Sequence, residues 1–201
     1  MSRKKISIFV LSLAIQVVLI SSAFAQDPTP PCMDHGQQLS VNNQQVLTWK
    51  TTTANQFLAR AYVEGTVTRI TLDRQTHYQF EIQIGPQPTD VLEVIYDKAF
   101  GSYPVAQTGM DVQACGDYIT STQQAGSYPP SPSGAIIHWV HQNTRGGSHD
   151  SGFMVMGGAL IGFNPADVPG SSQNLMTTFF NSLNGIGSHD ETKLGASQLA
   201  E

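Results

Sequence analysis

The chain has 201 residues, 40% of them apolar and 12% charged, with a formal net charge of −5. That is enough apolar chain for one domain with a real core. Fifteen acidic against ten basic residues argue against sequence-independent nucleic-acid binding, which needs clustered Lys and Arg to displace counterions, and against adhesion to anionic membranes.

The first 25 residues read as a cleavable secretory signal peptide. Arg3, Lys4 and Lys5 form a positive n-region. An apolar run follows from Ile6 to Ile20, and Ala23 and Ala25 supply the small-x-small pattern of signal peptidase. The run falls short of the roughly 20 residues that span a bilayer. Cys32 follows Pro30 and Pro31 rather than a small apolar box, which argues against a lipoprotein. Cleavage leaves seven basic against fifteen acidic residues, a net charge of −8. The expected setting is the periplasm or the extracellular medium, with no membrane span in the mature chain.

An exported chain with exactly two cysteines, Cys32 and Cys115, invites one disulfide. Two unpaired thiols are the alternative. Residues 26–53 read as a poorly structured leader, rich in Pro, Gln and Asn over 26–42. A short helix over about 53–60 would cover one end of a barrel. From Ala61 the pattern turns to β. Tyr62 to Leu72 is a first strand, and Asp73 to Thr76 a hairpin turn. Residues 77–84 give the clearest strand: Tyr78, Phe80, Ile82 and Ile84 alternate with His77, Gln79, Glu81 and Gln83. Period two sends the apolar set to one face.

Further strands are expected at Val91–Tyr96, Met110–Tyr118 and Ala135–Val140, with a loop over 97–108 and a long Pro, Ser and Gly turn over 126–134. Gly152 to Phe163 is a sixth strand or a hairpin turning at Gly157 and Gly158. Residues 171–184 carry a weak helical period, and the chain after Gly185 reads as a mobile tail. The expected fold is all-β: a small five- to six-stranded OB-like barrel over 54–163 with short flanking helices. A C-terminal extension over 164–201 follows it. A β-sandwich is the alternative.

Candidate chemistry concentrates at His138, Trp139, His141 and the polar segment 142–152. Three of the six histidines lie between 138 and 149. His138, His141 and His149 could hold zinc with an open position for water, and Asp150 could orient an imidazole behind it. Residues three apart on a regular strand face opposite ways, so His138 and His141 converge only if the strand breaks between them. The competing expectation is that these histidines bond to backbone and hold the loop. Trp139 is expected in the core or as a stacking surface. Arg145 could meet an anion, and His77 lies on another strand. Trp139, Arg145 and His77 are thus the candidate ligand contacts. Asp111 and Asp117 share a strand face as solvated carboxylates.

The sequence resembles an uncharacterised family of small exported bacterial proteins. The likeness lies in Gly65-Thr66-Val67-Thr68-Arg69-Ile70, His77-Tyr78-Gln79-Phe80, Gly116-Asp117-Tyr118, Ile137-His138-Trp139-Val140-His141 and Gly147-Ser148-His149-Asp150-Ser151-Gly152-Phe153. It spans about residues 54–163. The resemblance implies a small β-barrel in an exported setting and no particular activity. With no paired acid and base or nucleophile to assign, the expected function is a non-catalytic binding module. A three-histidine metal-dependent hydrolase is the alternative. An OB-type nucleic-acid binder is disfavoured by the charge.

Overall fold

The computed structural model describes residues 28–186. The expected signal peptide, its expected cleavage site and the tail after Ile186 lie outside the described residues. No helix among the described residues is long and apolar enough to cross a membrane.

The molecule is mostly β. A small hairpin, β1 (Met33–Asp34) and β2 (Gln37–Gln38), precedes α1 (Asn43–Thr52). Then come β3 (Leu58–Asp73), β4 (His77–Gln83), β5 (Val91–Asp97), β6 (Asp111–Thr120), β7 (Ala135–His138), β8 (Phe153–Met156) and β9 (Ala159–Ile161). Helix α2 (Ser172–Ile186) follows.

Two elements differ from the sequence expectation. The leader over 26–53 is not structureless, since it carries the β1–β2 hairpin and α1. The helix also lies ten residues earlier than 53–60, because Val46, Leu47 and Trp49 supply its inward face while Leu58 already pairs with Ile119 in the sheet. The β-branched run Thr51-Thr52-Thr53 ends it, and Thr53 is already extended. The helix still covers one end of the core: Trp49 packs on Phe57 and Tyr118, with ring centroids 5.8 and 5.5 Å away.

Seven strands form one sheet in the order β3-β4-β5-β7-β6-β8-β9, and β3 also pairs with β6. The pairings β3–β4, β4–β5, β5–β7, β7–β6 and β6–β3 thus return to their start, and β5–β7 is the parallel pair in this circuit. The long strand β3 makes this possible. Its first half pairs with β6 and its second half with β4, and Thr66 partners both Asp111 and Gln83. Gly65 marks the change of partner: a Cβ there would lie 2.1 Å from the Gln83 carbonyl oxygen. The β8–β9 hairpin turns at Gly157 and Gly158, both at positive φ, as expected from the sequence.

The alternation in β4 sets the core. Tyr78, Phe80, Ile82 and Ile84 are all buried. They pack with Leu92, Val94 and Tyr96 of β5, Val63 and Val67 of β3, and Ile137 of β7. The outward set is less solvated than the alternation suggests. Glu81 and Glu93 stand directly opposite each other, and both are buried. Opposed like charges destabilise a sheet, and here hydroxyls surround them. Thr68 and Ser133 donate to Glu81, and Thr71 and Ser131 donate to Glu93. Burial opposes the charge on Glu81, but the bonds from Arg69, Ser133 and Thr68 outweigh it and hold that carboxyl below its usual range. The pair thereby fastens the 121–134 connection to the sheet.

Outside the main core, the disulfide Cys32–Cys115 joins the N-terminal arm to β6, with Cα atoms 5.6 Å apart. Phe153, Tyr62, Leu39 and Leu160 pack around it. Replacing Phe80 by Ala removes a fully buried ring from the main core and should destabilise by about 3–5 kcal/mol, read by urea denaturation. A loss under about 1 kcal/mol would mean that the core is not packed around this strand.

Candidate functional site

The candidate site is built where β7 ends. Strand β7 stops at His138, and Trp139 takes φ +51°, a left-handed conformation that bulky residues avoid. The expected strand to Val140 is therefore one pair of residues too long. The chain leaves the sheet at Trp139, runs through the loop 142–151 and returns at Gly152 to enter β8. The exit and return are in contact: a Cβ on Gly152 would lie 2.2 Å from the Trp139 carbonyl oxygen and 2.5 Å from that of Cys115. Only glycine fits there. Gly116 plays the same part on β6, between the residues paired with β8 and those paired with β7. A Cβ on it would lie 2.4 Å from the His138 carbonyl oxygen.

The break at Trp139 turns an alternating strand into a set of rings in mutual contact. His138 lies 4.7 Å from Trp139, and Trp139 stacks at 5.5 Å on His149. His149 meets His141 edge-on at 5.5 Å. His77, from the start of β4, stands 6.4 Å from His138. Phe100 stacks face to face on His141, with centroids 3.4 Å apart and planes 9° from parallel. Four of the six histidines thus share one patch with Trp139 and Phe100.

Strand pairing adds a carboxylate. Asp97 is the β5 partner of His77 and accepts a hydrogen bond from the Ala99 backbone N–H, starting the 3-10 turn that delivers Phe100. Its charge raises the proton affinity of both His138 and His141. Burial acts the other way and prevails, aided at His138 by His77 and His141. The His138 pKa is pushed down to about 4, and that of His141 is also lowered, again chiefly by burial. Both rings are therefore neutral at pH 7.

The loop is held by its own polar side chains and by Arg60. Asn143 donates to the carbonyls of Gly147 and His149, and its backbone N–H donates to the Ser151 hydroxyl. Arg60 of β3 donates through Nη2 to the Ser151 carbonyl at 2.6 Å and lies 3.2 Å from Cys115 Sγ. Its Nη1 pairs with Asp117 at 2.8 Å, and Nε donates to the Met33 carbonyl. Asp117 is therefore a largely covered partner of Arg60 and not the solvated carboxylate expected from sequence, while Asp111 is exposed.

Of the residues singled out in the sequence, the structure brings His77, His138, Trp139, His141 and His149 together. Arg145 is exposed in the loop, with no hydrogen bond or ion pair to the described residues. Asp97 and Phe100 were not singled out. Their signal was the strand expected over 91–96, whose end the β4 pairing carries beside His77. The histidine trio is a row of ring contacts. Among the described residues, the group that places three ligand atoms within 4.8 Å of one another is instead Asp34, His35 and Asp150. Those groups already bond to each other: His35 Nδ1 to Asp34 at 2.7 Å, and the His35 backbone N–H to Asp150 at 2.6 Å. At the far side of β3 an open cleft of about 500 Å³ is lined by Asn43, Glu64, Gln83, Asp111 and Gln113.

Comparison of the chain with protein-family models, with curated proteins and with solved structures finds no match.

The depressed His138 pKa predicts a pH dependence. Between about 4 and the ordinary histidine value near 6.5 the unfolded chain binds a proton that the folded chain refuses, so stability falls as pH drops through that window. Urea denaturation should show a loss of about 1–3 kcal/mol from pH 7 to pH 4.5 that is reduced in His138→Gln. An NMR titration placing His138 near 6.5 would contradict this account.

Proposed function

We propose that the protein is an exported, non-catalytic binding module built on a small OB-like barrel, with the imidazole and aromatic patch as its ligand site. The observation that carries the reading is the left-handed Trp139, which breaks the strand and places the rings of His138, Trp139, His141 and His149 in contact. Backbone strain at a bulky residue persists where the surroundings impose it, and such strain clusters at binding and catalytic sites.

The OB-like assignment is supported by the five-strand circuit of pairings with its parallel β5–β7 step. In OB-folds the second and third strands present the ligand face. The corresponding strands here are β4 and β5, which contribute His77 and Asp97. The resemblance to small exported bacterial proteins and the buried disulfide agree with an oxidising, extracytoplasmic setting. The ring row, with no three of these imidazoles presenting ligand atoms within 4.8 Å, favours binding over the three-histidine hydrolase. A mature charge of −8 argues against nucleic acid as the ligand.

The test is an NMR screen of the mature protein against planar heterocycles, carboxylates and short saccharides, run beside ester and phosphodiester hydrolysis assays. Hits should shift the ring signals of Trp139 and His149, and Trp139→Ala should weaken them at least tenfold. Turnover of a screened ester, or hits confined to the cleft at Gln83 and Gln113, would contradict the reading.

A further inference from the structure

We propose that the patch takes a divalent transition-metal ion, copper or zinc, with His141 and His149 as its first two ligands through Nε2. This rests on the reading of the patch as the binding site and names one class of ligand for it.

His141 Nδ1 lies 3.1 Å from the Gln142 carbonyl oxygen, and His149 Nδ1 lies 3.0 Å from that of Asp150. A carbonyl oxygen only accepts, so each Nδ1 must carry the proton. In the neutral ring that leaves Nε2 as a bare lone pair. Neither Nε2 has a protein partner among the described residues, and neither is a sealed, unsatisfied atom. An Nδ1–H held by a backbone carbonyl is the usual outer partner of a metal-bound imidazole, because it fixes the tautomer and the ring direction.

Spacing agrees. Two imidazoles sharing an ion at about 2.0–2.1 Å from each Nε2 hold their centroids roughly 5–6.5 Å apart. His141 and His149 stand at 5.5 Å. Their planes are fixed from outside the pair, His141 by Phe100 and His149 by Trp139. Among the described residues no group of three ligand atoms within 4.8 Å of one another includes these rings, so the remaining coordination positions fall to water. Imidazole donors suit copper or zinc, whereas magnesium and calcium prefer all-oxygen sites.

The exposed group Asp34, His35 and Asp150 is the competing location and serves as the internal control.

The experiment is isothermal titration of the chelator-stripped mature protein with zinc sulfate and with copper sulfate at pH 7.5. The proposal expects saturable binding of one ion. His141→Ala and His149→Ala should each weaken it at least tenfold, and His35→Ala should leave it unchanged. Far-UV circular dichroism and thermal melts check that each variant is folded. His149→Gln provides a second, milder loss of ligand should His141→Ala unfold by losing its Phe100 contact. No saturable binding of either ion, unchanged binding in the His149 variants, or loss of binding in His35→Ala would overturn the proposal. If metal binding fails but organic ligands still shift Trp139, the binding-module reading survives without the metal. If both fail, the patch is not a binding site.

Discussion

Arg60 is the interaction on which the site depends. Its side chain is almost fully buried, and its guanidinium reaches the N-terminal hairpin through Met33, β6 through Asp117, the disulfide through Cys115 and the loop through Ser151. A buried guanidinium is costly unless its donors are filled. Here four contacts reach all three of its nitrogens, and each comes from a segment distant in sequence. The cost of leaving any donor empty therefore couples the arm, the sheet and the loop. The disulfide adds a covalent tie between two of these segments, separated by 83 residues. In the chain-entropy account, closing so long a loop restricts the unfolded chain by roughly 4 kcal/mol.

From that knot the geometry of the patch follows. Asp117 pairs with His138 in the β6–β7 register, so the carboxylate that holds Arg60 sits beside the last residue of β7. The close approach at this turn is possible because the next position on β6, Gly116, has no side chain; a Cβ there would lie 2.4 Å from the His138 carbonyl oxygen. Gly152 permits the return in the same way, where a Cβ would lie 2.2 Å from the Trp139 carbonyl oxygen. The loop between is short and internally bonded through Asn143. His149 is thereby delivered over Trp139 and against His141 by backbone constraints, with little left to side-chain freedom. Sites held this way bind with less ordering cost than sites assembled on contact.

Much of the sheet was legible in the sequence because its signal is local. The alternation of Tyr78, Phe80, Ile82 and Ile84, the turn after Asp73 and the Gly157-Gly158 hairpin are each contained within a few residues. Helix α1 was misplaced because its apolar positions merge with Phe57 and Leu58, which belong to the sheet. The pairing of Asp117 is hidden from the sequence, since its partner Arg60 lies 57 residues away. The histidine patch was visible as a cluster in sequence, but not as rings in contact. That contact requires a left-handed tryptophan, which no local propensity favours. Asp97 and Phe100 join only through the β4–β5 register. The burial of Glu81 and Glu93 was hidden for the same reason, because their hydroxyl partners Ser131 and Ser133 arrive on a distant connection.

The central claim is that the Arg60 knot preorganises the ring patch. The most direct measurement is a set of nuclear Overhauser contacts among the rings of Trp139, His141 and His149, compared between the wild-type chain and an Arg60→Met, Asp117→Leu double variant. Changing both partners avoids leaving one buried charge alone. The account predicts that the contacts within the core, such as Phe80 with its neighbours, persist while the ring contacts of His149 weaken or vanish. Ring contacts of undiminished strength in a variant that has lost all four Arg60 interactions would contradict it.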